Sequence, residues 1–188
     1  MLYINDHIWD FDLAASLALL SPQRREQALR YRFEQGQRTS VAAYLLLCQG
    51  LREEYGIGER PVFEYGEHGK PFIVGHPEIY FNMSHCCEAV VCALSDHPVG
   101  VDVESVRKLS ESLVRYTMNE HEVRQILSAE QPALEFTRVW TRKEAVVKWS
   151  GRGIGDDMKE VLALVPAPLT TVVAPDGRYV YSVCGVLK

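Results

Sequence analysis

Two carboxylates stand two residues apart in the stretch from Pro98 to Val106, PVGVDVESV, where Asp102 and Glu104 alternate with Val101 and Val103. In an extended strand alternate side chains share a face, so both acids point one way and both valines the other. Like charges held side by side raise one another's pKa and resist burial unless something positive sits beside them. A hard divalent cation is the natural occupant, because carboxylate oxygens are its usual ligands. A strand with one wet face, its acids merely solvated, gives the same alternation, so this stretch does not decide the matter alone.

Downstream, Glu144 and Lys148 stand one turn apart on a helix-forming segment. Three acids and a lysine suit a magnesium-phosphate site, in which carboxylates hold the cation and the ammonium neutralises phosphate charge. The same Glu144 and Lys148 could be a surface i,i+4 pair worth about 0.2 to 0.5 kcal/mol. Upstream, Lys70 lies between Gly69 and Pro71, which restrict where its stem starts. His85 sits just before an apolar run, placed to touch a phosphate or to hydrogen-bond nearby carbonyls. Arg38 opens a long helix, where the helix N-terminus also favours an anion. Arg24 and Arg25 lie on a basic helix whose charge is either a solvated face or a phosphate-facing surface.

The elements that must position these groups follow from periodicity. Leu2 to Trp9 reads as an edge strand, and Ser21-Pro22 as a helix start leading into a basic helix over Gln23 to Phe33. A long helix is expected from Gln37 to Tyr55, stopped by Gly56. Val62 to Tyr65 reads as a short strand and Gly66 to Pro71 as a turn. Tyr80 to His85 comes next, then a central strand over Glu88 to Leu94. Asp96-His97-Pro98 is expected to turn that strand into a hairpin with the one bearing Asp102. Helical segments follow at Leu109 to Tyr116, Glu120 to Leu127 and Pro132 to Trp149, the last with Trp140 in its core stripe and the glycines at 151, 153 and 155 at its exit. Leu162 to Leu164, Thr170 to Val173 and Tyr179 to Val186 read as strands. The order predicts an α+β fold of two lobes, residues 1–98 and 99–188.

The 188 residues are 47 % hydrophobic and 24 % charged, as expected of a folded globular chain. A formal charge of -5 argues against a general nucleic-acid binder. Five cysteines, two of them adjacent at 86 and 87, with no signal-peptide pattern, fit a reduced, cytoplasmic chain better than a disulfide scaffold. The longest apolar runs are too short to cross a bilayer.

Together the motifs form a pattern. Gly69-Lys70-Pro71 leads to Phe81-Asn82-Met83-Ser84-His85, then Gly100-Val101-Asp102-Val103-Glu104, then Trp140-Thr141-Arg142-Lys143-Glu144-Ala145 with Lys148 and Gly151-Arg152-Gly153. In this order and spacing the chain resembles the 4′-phosphopantetheinyl transferase superfamily, in its monomeric, surfactin-synthetase-activating group. The Ser21 to Arg25 helix and Arg38 extend the likeness toward the N-terminus.

The resemblance implies two similar α/β lobes with antiparallel sheets, related by a pseudo-two-fold axis. It implies transfer of the 4′-phosphopantetheine arm of coenzyme A to a serine of an acyl or peptidyl carrier protein, with release of adenosine 3′,5′-bisphosphate. By the same likeness Asp102, Glu104 and Glu144 would bind Mg²⁺, or Mn²⁺, with the pyrophosphate. Lys148 would stabilise the transferring phosphate, and Glu144 would help deprotonate the carrier serine. Arg24, Arg38, Lys70, Ser84 and His85 would hold the coenzyme's phosphates, and Leu109 to Leu127 would dock the carrier. Gln27 stands where the group carries a second basic residue, a place Arg30 could fill. The chain is also shorter than the group's pattern, mainly toward the C-terminus, which bears on accessory carrier contacts rather than on the metal centre. Two other readings use the same residues: a magnesium-dependent phosphohydrolase acting on CoA or nucleotides, and a CoA- or carrier-binding protein without turnover.

Overall fold

A computed structural model describes residues 1–152, 158–163, 165 and 167–188. Strand β1 (Leu2–Asn5) is followed by helices α1 (Leu13–Ala18), α2 (Pro22–Leu29) and α3 (Glu34–Tyr55). The short hairpin β2 (Phe63–Tyr65) and β3 (Pro71–Ile73) then leads to β4 (Tyr80–His85) and β5 (Val90–Ser95). The second half runs β6 (Gly100–Ser105), α4 (Glu111–Thr117), α5 (Glu120–Ser128), α6 (Pro132–Ser150), β7 (Leu169–Val173) and β8 (Tyr179–Cys184). Each half builds a three-stranded antiparallel sheet, ordered β1-β5-β4 in one and β6-β8-β7 in the other. One long helix packs on each sheet, α3 on the first and α6 on the second. These are the two similar α/β lobes, each with its small antiparallel sheet.

Strand β5 joins the cores of the two lobes. All six of its residues are buried, and the five from Val90 to Leu94 alternate between two clusters. Val90, Cys92 and Leu94 pack with Val41, Leu47 and Leu51 of α3, while Val91 and Ala93 pack with Val101 and Val103 of β6. A strand buried on both faces needs a continuous apolar run, which is why Val90 to Leu94 shows no polar alternation. Strand β6 keeps the alternation: Val101 and Val103 enter the shared core and Asp102 and Glu104 take the other face.

That other face meets α6, and Gly100 sets the approach. A Cβ at Gly100 would collide with the Ala145 carbonyl and the Trp149 backbone, so only glycine lets the helix lie this close to the strand. Gly151, at φ 68°, ends α6 in the left-handed conformation, as Gly56 ends α3. Ser21 caps α2 by accepting from the Arg24 amide, and Asn119 and Glu122 form a reciprocal capping box on α5.

Several elements differ from their sequence reading. Strands β5 and β6 do not form a hairpin, because β5 is already paired on both edges and β6 pairs with β8. The 96–99 link instead carries the chain from one sheet to the other. Helix α2 stops at Leu29, short of Phe33, and Arg30 turns back to Glu26 in an exposed ion pair. Leu162 lies in a turn rather than a strand, and residues 153, 155 and 164 fall outside the described residues. Trp140 is half-buried rather than core, stacked on Phe136 at 6.3 Å. The five cysteines form no disulfide.

Candidate functional site

At the seam between the lobes, β4 and β6 are neighbours, each at the edge of its own sheet. The period of two sends Phe81 and Met83 into the first core and leaves Asn82 and Ser84 for the seam. Asn82 accepts a 2.8 Å hydrogen bond from the Val101 amide, and Ser84 Oγ donates to Asp102 Oδ1 at 2.8 Å. Lys148 closes the group from α6: its Nζ lies 2.6 Å from Asp102 Oδ1 and 3.0 Å from Ser84 Oγ. Asp102 is 3 % exposed, and its second oxygen, Oδ2, is buried with no hydrogen-bond partner among the described residues.

The remaining acids lie near enough to feel the charges of this pair. Burial first, and the charge of Asp102 second, push the carboxyls of Glu104 and Glu144 above their ordinary range, and Lys148 partly offsets both. His85, an exposed residue whose imidazole is nonetheless crowded by protein, has its pKa lowered by desolvation and then by Lys148. Tyr31 meets its ring edge-on at 6.3 Å. One cation therefore faces three carboxylates, and one carboxylate oxygen is left bare in a partly dry seam.

This donor set suits a hard cation: all its ligating atoms are carboxylate oxygens, and the orphaned Oδ2 and the raised acids are relieved by added positive charge. As the side chains stand, no three His, Cys, Asp or Glu groups among the described residues converge closely enough to hold a metal ion. Asp102 Oδ1 is instead turned to Lys148.

The basic residues singled out in the first lobe are held by protein groups. Arg24 lies buried over the rings of Tyr44 and Phe63 and donates to Gln27, so the residue that departs from the family pattern is its partner. Arg38 pairs with Glu34 at 2.8 Å, donates to the Phe11 carbonyl at 2.7 Å and covers the rings of Trp9 and Phe11. Lys70 reaches into the second lobe and donates to the carbonyls of Lys148, Trp149 and Val99. None of these contacts is to Asp102, Glu104 or Glu144.

A family model described as the 4′-phosphopantetheinyl transferase superfamily matches residues 98–172, a span running from β6 through α6 into β7. The 4′-phosphopantetheinyl transferase AcpT of Escherichia coli O157:H7 is 34 % identical over 143 residues, 72 % of this chain and 68 % of the relative. The chain belongs to this superfamily. Among its fellow members, the transferase psf-1 of Bacillus pumilus is 32 % identical over 138 residues, covering 72 % of this chain and 59 % of the relative. The transferase Sfp of Bacillus subtilis strain 168 is 25 % identical over 141 residues, covering 73 % and 63 %. This member of the superfamily thus spans about three fifths of the length of the Bacillus relatives it matches.

Two residues in and behind the seam have structural roles that the sequence alone does not assign. Asn82, which the motif alone gives no role, stitches β4 to β6. Lys143, which the motif likewise gives no role, is fully buried and pairs with Glu122 at 2.7 Å, tying α5 to α6 one residue before Glu144. The signal was present in both cases: a polar residue in step with Ser84 on one strand, and a lysine inside an apolar helical stripe.

Proposed function

We propose that the chain transfers the 4′-phosphopantetheine group of coenzyme A to a serine hydroxyl of an acyl or peptidyl carrier protein, in a Mg²⁺-dependent reaction that releases adenosine 3′,5′-bisphosphate. The observation that carries this reading is the seam itself, where Lys148, Asp102 and Ser84 touch and Glu104 and Glu144 stand close enough to feel the charge of Asp102. Asp102, Glu104 and Glu144 are the residues that would hold the cation, which supplies charge neutralisation at the pyrophosphate.

The chain's own groups do the rest. Lys148, held between Asp102 and Ser84, presents its ammonium where charge develops on the transferring phosphate. Glu144, whose carboxyl is raised above its ordinary range by burial and then by the charge of Asp102, takes the proton of the attacking serine. Ser84, which touches Lys148 and Asp102, and His85, which feels the Lys148 charge, would hold the coenzyme's phosphates, and Arg24 and Arg38 would supply further positive charge from the first lobe. Helix α4, which exposes Leu113 and Tyr116, is the face for the carrier. A division of the chain at residues 98 and 99, a monomer of the surfactin-synthetase-activating type and a cytoplasmic setting belong to the same reading. Two lobes on one chain support the monomer, and no helix among the described residues is long and apolar enough to cross a membrane.

Mass spectrometry of apo acyl and peptidyl carriers after incubation with the protein, CoA and Mg²⁺ tests the reaction. A carrier gaining the mass of the phosphopantetheine arm on its serine is the expected result. No gain across a broad carrier panel, or phosphate release without any carrier, overturns it.

A further inference from the structure

Lys70 sits in the turn that joins β2 to β3, and its side chain crosses the seam to the last turn of α6. Its ammonium donates to the Lys148 carbonyl at 2.6 Å, to Val99 at 3.2 Å and to Trp149 at 3.3 Å. The final carbonyls of a helix have no partner within the helix, and a cation there also meets the negative end of the helix dipole. A lysine has three N–H donors, and here all three are matched by carbonyl oxygens. Its stem runs close over Gly151, where an added Cβ would lie 3.3 Å from Lys70 Cδ. Burial lowers the pKa of the ammonium, which agrees with a group withdrawn from solvent into this cap. Val99, the third acceptor, is the residue before Gly100, so one ammonium holds both the start of β6 and the end of α6.

The geometry points to Lys70 as a positioning residue for Lys148: it fixes the Lys148 backbone from the first lobe, so that the Lys148 ammonium stays between Asp102 and Ser84. This inference rests on the transferase reading and differs from the phosphate-holding role that the family likeness implies for Lys70. An ammonium already saturated by three carbonyls would have to abandon the helix end to bind a phosphate. The β2–β3 hairpin thereby becomes a strut between the lobes, and the separation of β6 from α6 depends on it. A positioning group of this kind acts on the rate of the bound complex rather than on binding, because small misplacements of a reacting group cost turnover.

Three measurements on the full chain test the assignment: steady-state kinetics, CoA binding by calorimetry, and amide hydrogen exchange without substrate. In Lys70→Met, kcat is expected to fall about tenfold or more while the Kd for CoA stays within about twofold of the parent. The same drop is expected with CoA lacking its 3′-phosphate. A Kd that weakens in step with kcat/KM while kcat holds, or a penalty that vanishes with the dephosphorylated substrate, makes Lys70 a phosphate ligand and overturns the inference. Lys70→Arg separates the roles where the methionine variant folds poorly. A phosphate ligand tolerates arginine, whereas the broader guanidinium fits badly over Gly151 and lowers kcat. Hydrogen exchange needs no turnover: the Gly151 amide, which donates to the Val147 carbonyl, is expected to exchange faster in Lys70→Met. Unchanged exchange overturns the tether even if the parent protein transfers nothing to any carrier, and the latter result counts against the transferase reading alone.

Discussion

Asp102 gives one carboxylate oxygen to Lys148, 2.6 Å away, and keeps the other buried with no partner among the described residues. The two residues come from different elements, β6 and α6, and the contact exists because Gly100 lets the helix press against the strand. A half-satisfied buried carboxylate is costly to the fold, and such sites are retained where charge is needed for chemistry.

Removing the lysine exposes that cost. Lys148→Met leaves both oxygens of Asp102 without a cation, and loss of one partner of a buried pair costs about 3 to 5 kcal/mol. The Lys148 side chain is 27 % exposed, so solvent screening should reduce this to about 2 kcal/mol. Chemical denaturation should show that loss, and Asp102→Asn in the same chain should recover part of it. Transfer should fall by about 100-fold or more in Lys148→Met, as expected when a charge-stabilising group is lost.

The raised carboxyls give a pH dependence with a definite sign. Glu104 and Glu144 hold their protons more tightly in the folded protein than in the unfolded chain. Below the ordinary carboxylate range both states are protonated and these groups do not affect stability. As pH climbs through that range and past the raised values, the unfolded chain ionises first, so stability falls. Glu104→Gln and Glu144→Gln should each raise Tm by about 2 °C at pH 7.5 and have no such effect at pH 4. The Glu144 variant should lose most transfer as well. A thermal-denaturation series from pH 4 to 8 checks the crossover.

Added cation should act in the opposite direction over the same window. With Mg²⁺ at ten times its Kd, binding to the folded state alone adds about 1.4 kcal/mol, or about 3 to 5 °C in Tm for a chain of this size. Protons compete for the same oxygens, so the shift should be full at pH 8 and small at pH 5. It should be absent from Asp102→Ala at either pH. A shift of equal size in that variant would place the cation elsewhere.

How much of this was legible in the sequence follows from the range of each interaction. The alternation of Val101, Asp102, Val103 and Glu104 is local, and both faces came out as the strand period requires. The helical spacing of Glu144 and Lys148 is equally local, although Lys148 reaches Asp102 instead of serving as a surface partner of Glu144. The hairpin expected around Asp96-His97-Pro98 failed because strand partners are chosen by the rest of the chain. Both edges of β5 were already taken, one by β4 in the hairpin just before it and the other by β1 from the far N-terminal end of the chain. Lys70 shows the same limit, since its three acceptors lie 29 to 79 residues away and no local pattern announces them.

The close approach of β6 and α6 gives a direct test of the packing. Gly100→Ala puts a methyl group into the Ala145 carbonyl and the Trp149 backbone, where no flexible side chain can yield. Overpacking of this kind costs about 1 to 3 kcal/mol, and the backbone contact places it at the upper end. The variant should lose transfer beyond its loss of stability, because α6 must move away and take Glu144 and Lys148 with it. Parent-like kinetics in a folded Gly100→Ala protein would show that the strand-to-helix distance does not set the site.

The buried pair behind the site makes a separate prediction. Lys143 is fully buried, bonded to Glu122 at 2.7 Å and to the carbonyls of Met158 and Lys159 at 2.6 and 3.1 Å. Glu122 also accepts from the Asn119 amide, so one carboxylate caps α5 and anchors α6. Lys143→Met strands that carboxylate and frees two carbonyls, a change expected to cost about 3 to 5 kcal/mol. Glu122→Gln keeps the cap but weakens the ion pair, so its cost should be smaller, about 1 to 3 kcal/mol. The double variant should be less destabilised than the sum of the two, because the residues share one network. Additive losses in chemical denaturation would mean that Lys143 is held by the 158–159 carbonyls alone, and that α5 and α6 are joined by the apolar packing of Ile126 and Val139.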